Sequence, residues 1–324
     1  MNRTEKFAAP VRLGTRKSRL ALVQSRGIQA RLEKAGVPVV LVEVVSSGDR
    51  DRKTPLYEIE APTPGLFTKQ LETALLKNEV DLAVHSLKDL PTDQPSGLRV
   101  AAVPAREDSG DCLLINPGKR VAGELLELPA GASVGTSSLR REAQLLWQRS
   151  DLKIVPLRGN VPTRVQAVKD GKLDAVVLAN AGLHRLGLDL SGLHRINLPP
   201  GDFVPAPGQG ALALECRSDA SAELISALRS LNDVSAEIET RVERRILKEL
   251  HGGCTLPLGV KVTRDAARDR LELRAFLGIS RDRKEGAHQW ISFHTFDFAD
   301  RDEENLVRRT VDHFLPLLPV TWKS

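Results

Sequence analysis

Aromatic residues are scarce in this chain: one tyrosine, three tryptophans and eight phenylalanines amount to 4% of 324 residues. Proteins that bind single-stranded nucleic acid use aromatic side chains for base stacking, set among lysines and arginines. Here the formal net charge is only +5, from 47 basic and 42 acidic residues, without a long basic run. The composition permits nucleic-acid binding but does not argue for it. A local anion site fits the small basic surplus better than a basic face does.

Long apolar segments are also lacking. No stretch approaches the roughly 18–20 residues that a membrane-spanning helix needs. Residues 1–10 lack the apolar core of a signal peptide. The three cysteines, Cys112, Cys216 and Cys254, provide no disulfide framework. We therefore expect no membrane partner and a reducing, cytoplasmic environment. Because Cys112 and Cys216 lie in apolar runs, we expect both to be buried structural thiols.

The remaining composition, 41% hydrophobic and 27% charged, is typical of a globular protein, and the length suits two or three domains. Strand-like and helix-like segments alternate over the first two-thirds, which indicates an α/β layer with a largely parallel sheet. A polar segment near residues 104–110 and the segment Pro-Ala-Pro-Gly-Gln-Gly at 205–210 indicate crossings between two lobes. A central cleft between two lobes is a common ligand site.

The last part of the chain contains a long helical pattern, three strand-like segments and a terminal helical pattern. We interpret it as a small C-terminal domain of the α+β class. The predicted domains are residues 1–107 with 208–230 (lobe 1), 108–207 (lobe 2) and 231–324 (the C-terminal domain).

Lobe 2 twice places arginines where a strand gives way to a helix. Residues 135–141 are Gly-Thr-Ser-Ser-Leu-Arg-Arg, and residues 158–164 are Arg-Gly-Asn-Val-Pro-Thr-Arg. Free N–H groups at a helix start favour an anion, and arginine adds a planar fork that matches carboxylate or phosphate. One such turn is compatible with an ordinary helix cap and solvated arginines. Two turns within thirty residues favour a polyanionic ligand.

Lys88 and Asp89 follow the strand-like residues 81–87. Ligands of open α/β sheets bind outside the carboxyl ends of the strands. Taken alone, this pair is best interpreted as an ion pair in a loop. Beside a polyanion site, a single carboxylate is better suited to meet a cationic part of the ligand or to move protons.

Arg16 and Ser18 follow the first strand in the same way, and Ser18 is also suited to be an ordinary N-cap. Arg185 follows the strand-like residues 175–178 and is a further candidate for the anion site.

Cys254 lies in a Gly-Gly-Cys-Thr segment that follows the long helical pattern. With His251 it forms a His-x-x-Cys spacing, but the chain offers no second nearby pair, so we expect no metal. A plain loop cysteine and a covalent attachment point are the two interpretations that stay open.

Five motifs occur in order along the chain: Ser-Leu-Lys-Asp-Leu-Pro at 86–91, the two arginine turns at 135–141 and 158–164, Pro-Gly-Gln-Gly at 207–210 and Gly-Gly-Cys at 252–254. In these motifs the sequence resembles the hydroxymethylbilane synthase (porphobilinogen deaminase) family of tetrapyrrole biosynthesis. The resemblance covers nearly the whole chain. It implies two lobes like those of periplasmic binding proteins with a central cleft, and a small C-terminal α+β domain.

The resemblance also implies an activity. Four porphobilinogen molecules would be condensed head to tail on a covalently bound dipyrromethane primer, with release of ammonia at each addition. Hydrolysis would then release the linear tetrapyrrole, hydroxymethylbilane. By resemblance, Asp89 in lobe 1 is the catalytic acid, and Cys254 in the C-terminal domain carries the cofactor as a thioether.

The resemblance further divides the polar residues of the motifs by ligand. The residues implied to bind the cofactor, besides Cys254, are Lys88, Asp89, Ser138, Arg140 and Arg141. Those implied to bind the substrate are Arg16, Ser18, Thr136, Arg158, Arg164, Arg185 and Gln209, the last of which lies in a hinge segment.

One segment departs from the family pattern. Relatives commonly have a glycine- and lysine-rich loop before a Gly-Leu-Phe motif, whereas residues 57–64 here contain two acids, two prolines and no lysine. Substrate contacts through such lysines are therefore not carried over to this chain. A stiffer loop with altered elongation kinetics is a hypothesis.

An alternative of another class is a non-catalytic, two-lobed anion-binding protein. Such a protein needs neither Asp89 nor Cys254, and a periplasmic form would need an export signal. We expect a monomer, because no sizeable apolar seam is left over, and we expect its only partner to be the small-molecule substrate.

Overall fold

The structure is a computed structural model that describes residues 7, 9–44, 68–252, 256–284 and 287–319. Residues 57–64 and Cys254 lie outside this part of the chain. The chain divides into two compact units, residues 1–107 with 210–238 and residues 108–209 with 239–324. The three-domain division proposed from the sequence stays a prediction.

The strands, in chain order, are β1 (Val11–Thr15), β2 (Val39–Glu43), β3 (Leu82–Ser86), β4 (Leu98–Ala102), β5 (Asp111–Ile115), β6 (Ser133–Gly135), β7 (Lys153–Val155), β8 (Ala175–Ala179), β9 (His194–Leu198), β10 (Leu212–Arg217), β11 (Leu258–Asp265), β12 (Arg270–Lys284) and β13 (Ala287–Asp300). The helices are α1 (Arg19–Lys34), α2 (Lys69–Leu76), α3 (Leu139–Gln148), α4 (Val161–Lys169), α5 (Asn180–Leu186), α6 (Ala222–Arg229), α7 (Val234–Glu249) and α8 (Glu303–Phe314). None of these helices is both long and apolar enough to cross a membrane.

The first unit contains a sheet of five strands in the order β2-β1-β3-β10-β4. Strand β1 is parallel to β2 and β3, and β10 is antiparallel to both of its neighbours. One face of the sheet packs against α1 and α6, through Ile28 and Leu228 among others, and the other face packs against α2 through Leu71 and Leu75. Helices therefore cover both faces, as in other α/β proteins.

The second unit repeats this arrangement with the order β7-β6-β8-β5-β9. Strands β6, β7 and β8 are parallel, and β5 is antiparallel to β8 and β9. Helix α3 covers one face through Leu145, and α4 and α5 cover the other through Val168 and Leu183. In each sheet an antiparallel strand, β10 or β5, occupies the fourth position and follows one of the two predicted crossing segments.

The same unit contains an antiparallel sheet in the order β11-β12-β13. Phe276 of β12 packs with Ala143 of α3 and with Val204. This contact requires a glycine at 278, because a Cβ there would lie 2.7 Å from the Cβ of Ala143 and 2.8 Å from the Trp290 ring. The predicted α/β class, with two lobes and an additional C-terminal sheet and helix, is confirmed.

Candidate functional site

Most of the polar residues singled out in the second unit lie at one edge of its five-stranded sheet. Strands β6, β7 and β8 are parallel, so their carboxyl ends meet at this edge. Strand β5 runs the other way and begins there with Asp111, opposite Ala179 and Leu198. The carboxyl edge of a parallel sheet is the usual ligand position in α/β folds.

The turn after β6 brings the first arginine motif to this edge. Gly135, the last residue of β6, is needed because a Cβ would lie 2.6 Å from Leu173. Thr136 is buried, its N–H donates to the carbonyl of Val155 at 3.0 Å, and its hydroxyl accepts from the N–H of Ser138 at 3.2 Å. The polar turn is thereby fixed before α3 begins.

Ser138 occupies the N-cap position of α3, but its side chain makes no capping hydrogen bond. The neighbouring Ser137 instead links the two motifs. Its hydroxyl donates to the carbonyl of Leu157 and accepts from the N–H of the same residue, both at 2.9 Å. The Ser138 hydroxyl is thus not used as a cap, in contrast to an ordinary N-terminal serine.

Arg140 and Arg141 share one buried carboxylate. The Nη2 atom of Arg140 lies 2.7 Å from Oδ2 of Asp111, and Nη2 of Arg141 lies 2.8 Å from Oδ1. Burial alone would raise the pKa of Asp111, but the charges and hydrogen bonds of the two guanidinium groups hold it well below its usual range. The carboxylate is therefore ionised throughout the physiological pH range.

The other ends of the two guanidinium groups bind backbone carbonyls. Nη1 of Arg140 donates to Val204 at 2.7 Å, and Nη1 of Arg141 donates to Val177 at 3.1 Å. Both arginines are buried, and the Nε atom of each has no hydrogen-bond partner within the described residues. Buried donors without partners cost free energy, so these two Nε–H groups are suited to donate to the oxygen atoms of a ligand.

Arg164, from the second motif, belongs to the same positive cluster. Its Nε donates to the carbonyl of Gly159 at 2.8 Å. Burial, with added repulsion from Arg141, lowers the pKa of Arg164 to about 10, so it stays cationic at neutral pH. Within the described residues, Asp111 is the only acid paired with Arg140, Arg141 or Arg164. Three cations and one anion leave a positive surplus suited to an anionic ligand.

The second motif starts α4 with an ordinary cap: Asn160 accepts from the N–H of Thr163 at 3.0 Å. Arg158 precedes this cap and is half-buried, and Arg185 is half-buried in α5.

Gln209 is buried, and its Nε2 donates to Oδ1 of Asp111 at 2.8 Å and to the carbonyl of Ser109 at 2.8 Å. The predicted hinge residue therefore shares the carboxylate that holds the arginine pair.

In the first unit, the corresponding sheet edge carries the other candidates. Arg16 and Ser18 follow β1, and Lys88 and Asp89 follow β3. The Ser18 hydroxyl accepts from the N–H of Ala21 at 3.3 Å, which confirms the expected N-cap. Its proposed contact with substrate stays a prediction.

Asp89 is the last residue of a short 3₁₀ turn over residues 87–89. Leu87 and Leu90 are buried, whereas Asp89 is exposed. Leu87 and Leu90 pack with Val103 and Ala211, and the Leu87 N–H donates to the Ala211 carbonyl at 3.0 Å. Lys88, which precedes Asp89, is half-buried. The turn is thus anchored by two leucines and presents the carboxylate of Asp89 to solvent.

The sequence motifs did not identify Asp111, although it holds two of the predicted arginines. The available signal was a carboxylate at the head of an otherwise apolar strand, Asp-Cys-Leu-Leu-Ile. A second unanticipated cluster joins Asp108, Asn180 and Arg195: the Asn180 amide donates to Asp108 at 2.8 Å and accepts from Arg195 at 2.9 Å. The predicted anchor Cys254 lies outside the described residues.

The profile of the family described as the dipyrromethane cofactor binding domain of porphobilinogen deaminase matches residues 11–224. The porphobilinogen deaminase of Campylobacter concisus is 40% identical over 314 residues, which cover 91% of this chain and 98% of that relative. The porphobilinogen deaminase of Desulforudis audaxviator is 47% identical over 249 residues, which cover 76% of this chain and 78% of the relative.

Solved structures of lower similarity also match. The periplasmic aliphatic sulphonate binding protein of Escherichia coli is 17% identical with a TM-score of 0.37, over 74% of this chain and 69% of that one. A methionine-binding protein is 16% identical with a TM-score of 0.41, over 68% of this chain and 89% of that one. Because the family profile spans most of the chain and the Campylobacter relative aligns over nearly all of it, the chain belongs to the porphobilinogen deaminase family.

Proposed function

We propose that this protein is hydroxymethylbilane synthase, which condenses four porphobilinogen molecules on a covalent dipyrromethane primer and then releases the linear tetrapyrrole by hydrolysis. The observation that carries the proposal is the buried pair Arg140 and Arg141 on Asp111, with Arg164 close enough to repel Arg141, in a chain of this family. Each porphobilinogen carries an acetate and a propionate, so the growing chain accumulates carboxylates. Arginine binds carboxylates bidentately and keeps its charge.

The donor set fits the cofactor. The Nε atoms of Arg140 and Arg141, which have no hydrogen-bond partner in the part of the chain that the structure describes, and a surplus of positive charge are suited to the carboxylates of a dipyrromethane. Cys254 would hold it covalently, and Lys88, Asp89, Ser138, Arg140 and Arg141 would bind its polar groups. When bound, the dipyrromethane supplies the pyrrole carbon to which each new unit is added, and its thioether keeps the product attached until hydrolysis.

Asp89 is the proposed catalytic residue. When ammonia leaves the aminomethyl group of porphobilinogen, positive charge is left on the pyrrole nitrogen. An exposed carboxylate on an anchored turn is suited to stabilise this charge. The Asp89 carboxylate would also be suited to accept and relay the proton that the attacking pyrrole carbon loses once the new carbon–carbon bond has formed.

The remaining arginines and hydroxyl groups are proposed to bind substrate carboxylates. Arg164 has a carbonyl as its hydrogen-bond partner, so its other N–H groups are suited to a ligand. Arg16, Ser18, Thr136, Arg158, Arg185 and Gln209 complete the proposed set, at the carboxyl edges of the two sheets or bonded to Asp111.

The finer assignments follow from this function. We assign the enzyme to the transferases, place it in the cytoplasm and describe it as a monomer. We retain three domains: lobe 1 with Asp89, lobe 2 with the arginine cluster, and a C-terminal domain with Cys254. The separate antiparallel sheet β11-β12-β13 supports the third domain, and the two free buried cysteines agree with a reducing compartment.

The test is the intact mass of the purified protein before and after incubation with porphobilinogen. We expect a covalent adduct on the wild type, a colour with Ehrlich's aldehyde reagent, and no adduct on Cys254→Ser. Tetrapyrrole formation is measured in parallel. A wild-type protein without adduct that binds porphobilinogen but forms no tetrapyrrole would identify a non-catalytic anion-binding protein instead.

A further inference from the structure

A fully buried carboxylate lies on β10, the fourth strand in the sheet of the first unit, which pairs with the strand that leads into the Asp89 turn. Glu215 of β10 is 0% exposed, and one of its oxygens, Oε2, lies 3.0 Å from Nε2 of His85. The other oxygen, Oε1, accepts a hydrogen bond from Nε2 of Gln94 at 3.1 Å. His85 is also buried, and Gln94 is half-buried. Each carboxylate oxygen therefore has its own partner.

The two partners of Glu215 lie on opposite sides of the Asp89 turn in sequence. His85 belongs to β3, four residues before Asp89, and Gln94 lies in the loop five residues after it. The Gln94 side chain is itself fixed, because its oxygen accepts from the N–H of Val100 in β4 at 3.3 Å. One carboxylate thus connects the strand that enters the turn with the loop that leaves it.

Stability alone does not account for this arrangement. Burying a carboxylate costs several kcal/mol, and replacing a buried ion pair by apolar residues is often neutral or stabilising. A third ionisable group, Glu72 of α2, lies close enough that burial and then the charge of Glu215 raise the Glu72 pKa. A site that places two acids near one histidine is an unfavourable way to fill a core. We therefore attribute the hydrogen bonds of Glu215 to the geometry that they impose on the residues they join, and not to stability.

We propose that Glu215 is a positioning residue for the condensation reaction, holding the Asp89 turn from both sides through His85 and Gln94. The proposal rests on the proposed function, because it takes Asp89 as the group that meets the reacting pyrrole. Leu87 and Leu90 fix the depth of the turn by packing. Glu215 adds the directional contacts that packing does not supply, since hydrogen bonds constrain orientation and apolar contacts do not.

The first variant is Gln94→Met, which keeps side-chain length and removes one of the two hydrogen bonds of Glu215, together with the contact of Gln94 to Val100. Gln94 is half-buried in a loop, so this variant is expected to fold. We expect kcat to fall about tenfold or more, because small misplacements of a catalytic group cost up to about 10²-fold. We expect KM for porphobilinogen to stay within about twofold, because Gln94 is not among the residues proposed to bind substrate.

Two substitutions of Glu215 separate its hydrogen bonds from its charge. Glu215→Gln can keep both contacts, accepting from Gln94 and donating to a neutral His85, so it should retain most of the wild-type kcat. Glu215→Leu removes both contacts and should lose more activity than Gln94→Met does. A loss of kcat in Glu215→Gln as large as that in Glu215→Leu would overturn the hydrogen-bonding role.

A double-mutant cycle distinguishes positioning from general destabilisation. If Gln94 acts through Asp89, Gln94→Met should have no further effect on the residual rate of Asp89→Asn. Multiplicative losses in the double variant would show that the two residues act independently and would overturn the proposal. An unchanged kcat in folded Gln94→Met would also overturn the proposal, even if Glu215→Leu does not fold.

The matched control, Asp81, lies at the opposite end of β3 from the Asp89 turn. Asp81 precedes β3 and pairs with Arg12, with 2.7 Å between Oδ1 and Nη2. Asp81→Asn should lower the melting temperature without changing kcat. The proposed function fails separately: normal turnover in Asp89→Asn alone would remove the catalytic role of Asp89. If Asp89→Asn loses turnover but Gln94→Met keeps normal turnover, only the positioning role of Glu215 is overturned.

Discussion

Asp111 binds Arg140 with one carboxylate oxygen and Arg141 with the other, at 2.7 and 2.8 Å. Consecutive residues of a helix point in different directions, so two adjacent arginines converge on one acid only where a fixed carboxylate stands between them. Gln209 donates to the same acid at 2.8 Å. The positions of the two guanidinium groups are therefore set by an acid, Asp111.

We predict that Asp111→Asn is strongly destabilising. The variant leaves two buried guanidinium groups without their counter-charge, and breaking a buried pair in this way costs about 3–5 kcal/mol. Urea-induced unfolding followed by circular dichroism measures the change. The control is Asp170→Asn, which breaks an exposed pair with Lys172 and should change stability little. Equal effects of the two substitutions would contradict the prediction.

The same pair predicts a pH dependence of stability. The pKa of Asp111 is lower in the folded protein than its ordinary value of 3.8, so its contribution to stability is fully present above about pH 4. It is lost progressively as the pH falls further. The difference in unfolding free energy between wild type and Asp111→Asn should therefore be constant from pH 7 to 5 and shrink below pH 4. A constant difference down to pH 2 would contradict it.

Asp89→Asn should retain the fold and the covalent cofactor but lose most turnover. The exposed carboxylate makes little contribution to packing, whereas loss of a general acid or base typically lowers kcat by about 10²–10⁴-fold. Intact mass and steady-state kinetics are the measurements. The control is Asp93→Asn, an exposed acid in the following loop. Near-normal turnover in Asp89→Asn would remove the role given to this residue.

Arg164→Gln should weaken substrate binding. A charge-assisted hydrogen bond is worth about 1.5–3 kcal/mol, so KM for porphobilinogen should rise about 10- to 100-fold. Lys169→Gln removes one positive charge from the last turn of the same helix, where Lys169 is exposed, and should leave KM nearly unchanged. Similar KM values for the two variants would indicate a general effect of charge and not a specific contact.

Two of the three cysteines should be inert in the native protein. Burial raises the pKa of Cys112 to about 11 and also raises that of Cys216, and both are fully covered. Iodoacetamide at pH 8 should label neither before unfolding and both after it, as measured by peptide mass mapping. Cys254 should be labelled only in protein that lacks the cofactor. Rapid native labelling of Cys112 would contradict its assigned burial.

Much of the fold could be predicted from local patterns. Apolar, β-branched segments such as those of β2 and β8 are typical of buried strands in α/β sheets, and the structure has strands there. Strand β9, His-Arg-Ile-Asn-Leu, was missed because it lies at the sheet edge and mixes polar with apolar residues. The short helices α5 and α6 were missed too, since seven or eight residues give little periodicity.

The site was predictable only where its residues form contiguous motifs. The arginine turns and the Lys88–Asp89 pair each lie within a few residues, so their chemistry is visible in the sequence. Asp111 lies 29 residues before Arg140, and His85 lies 130 residues before Glu215. Nothing local marks such partners, because they become neighbours only when the strands pair and the helices pack on the sheet.

The order of strands in the first unit has a consequence for synthesis on the ribosome. Strand β10 lies between β3 and β4, yet it is about 110 residues later in the chain than β4. The sheet of the first unit therefore stays open along two strand edges until residue 217 has emerged, while residues 108–209 can already complete their own sheet. Open strand edges are templates for aggregation. Residues 1–107 should accordingly depend most on chaperones during translation, although they are made first.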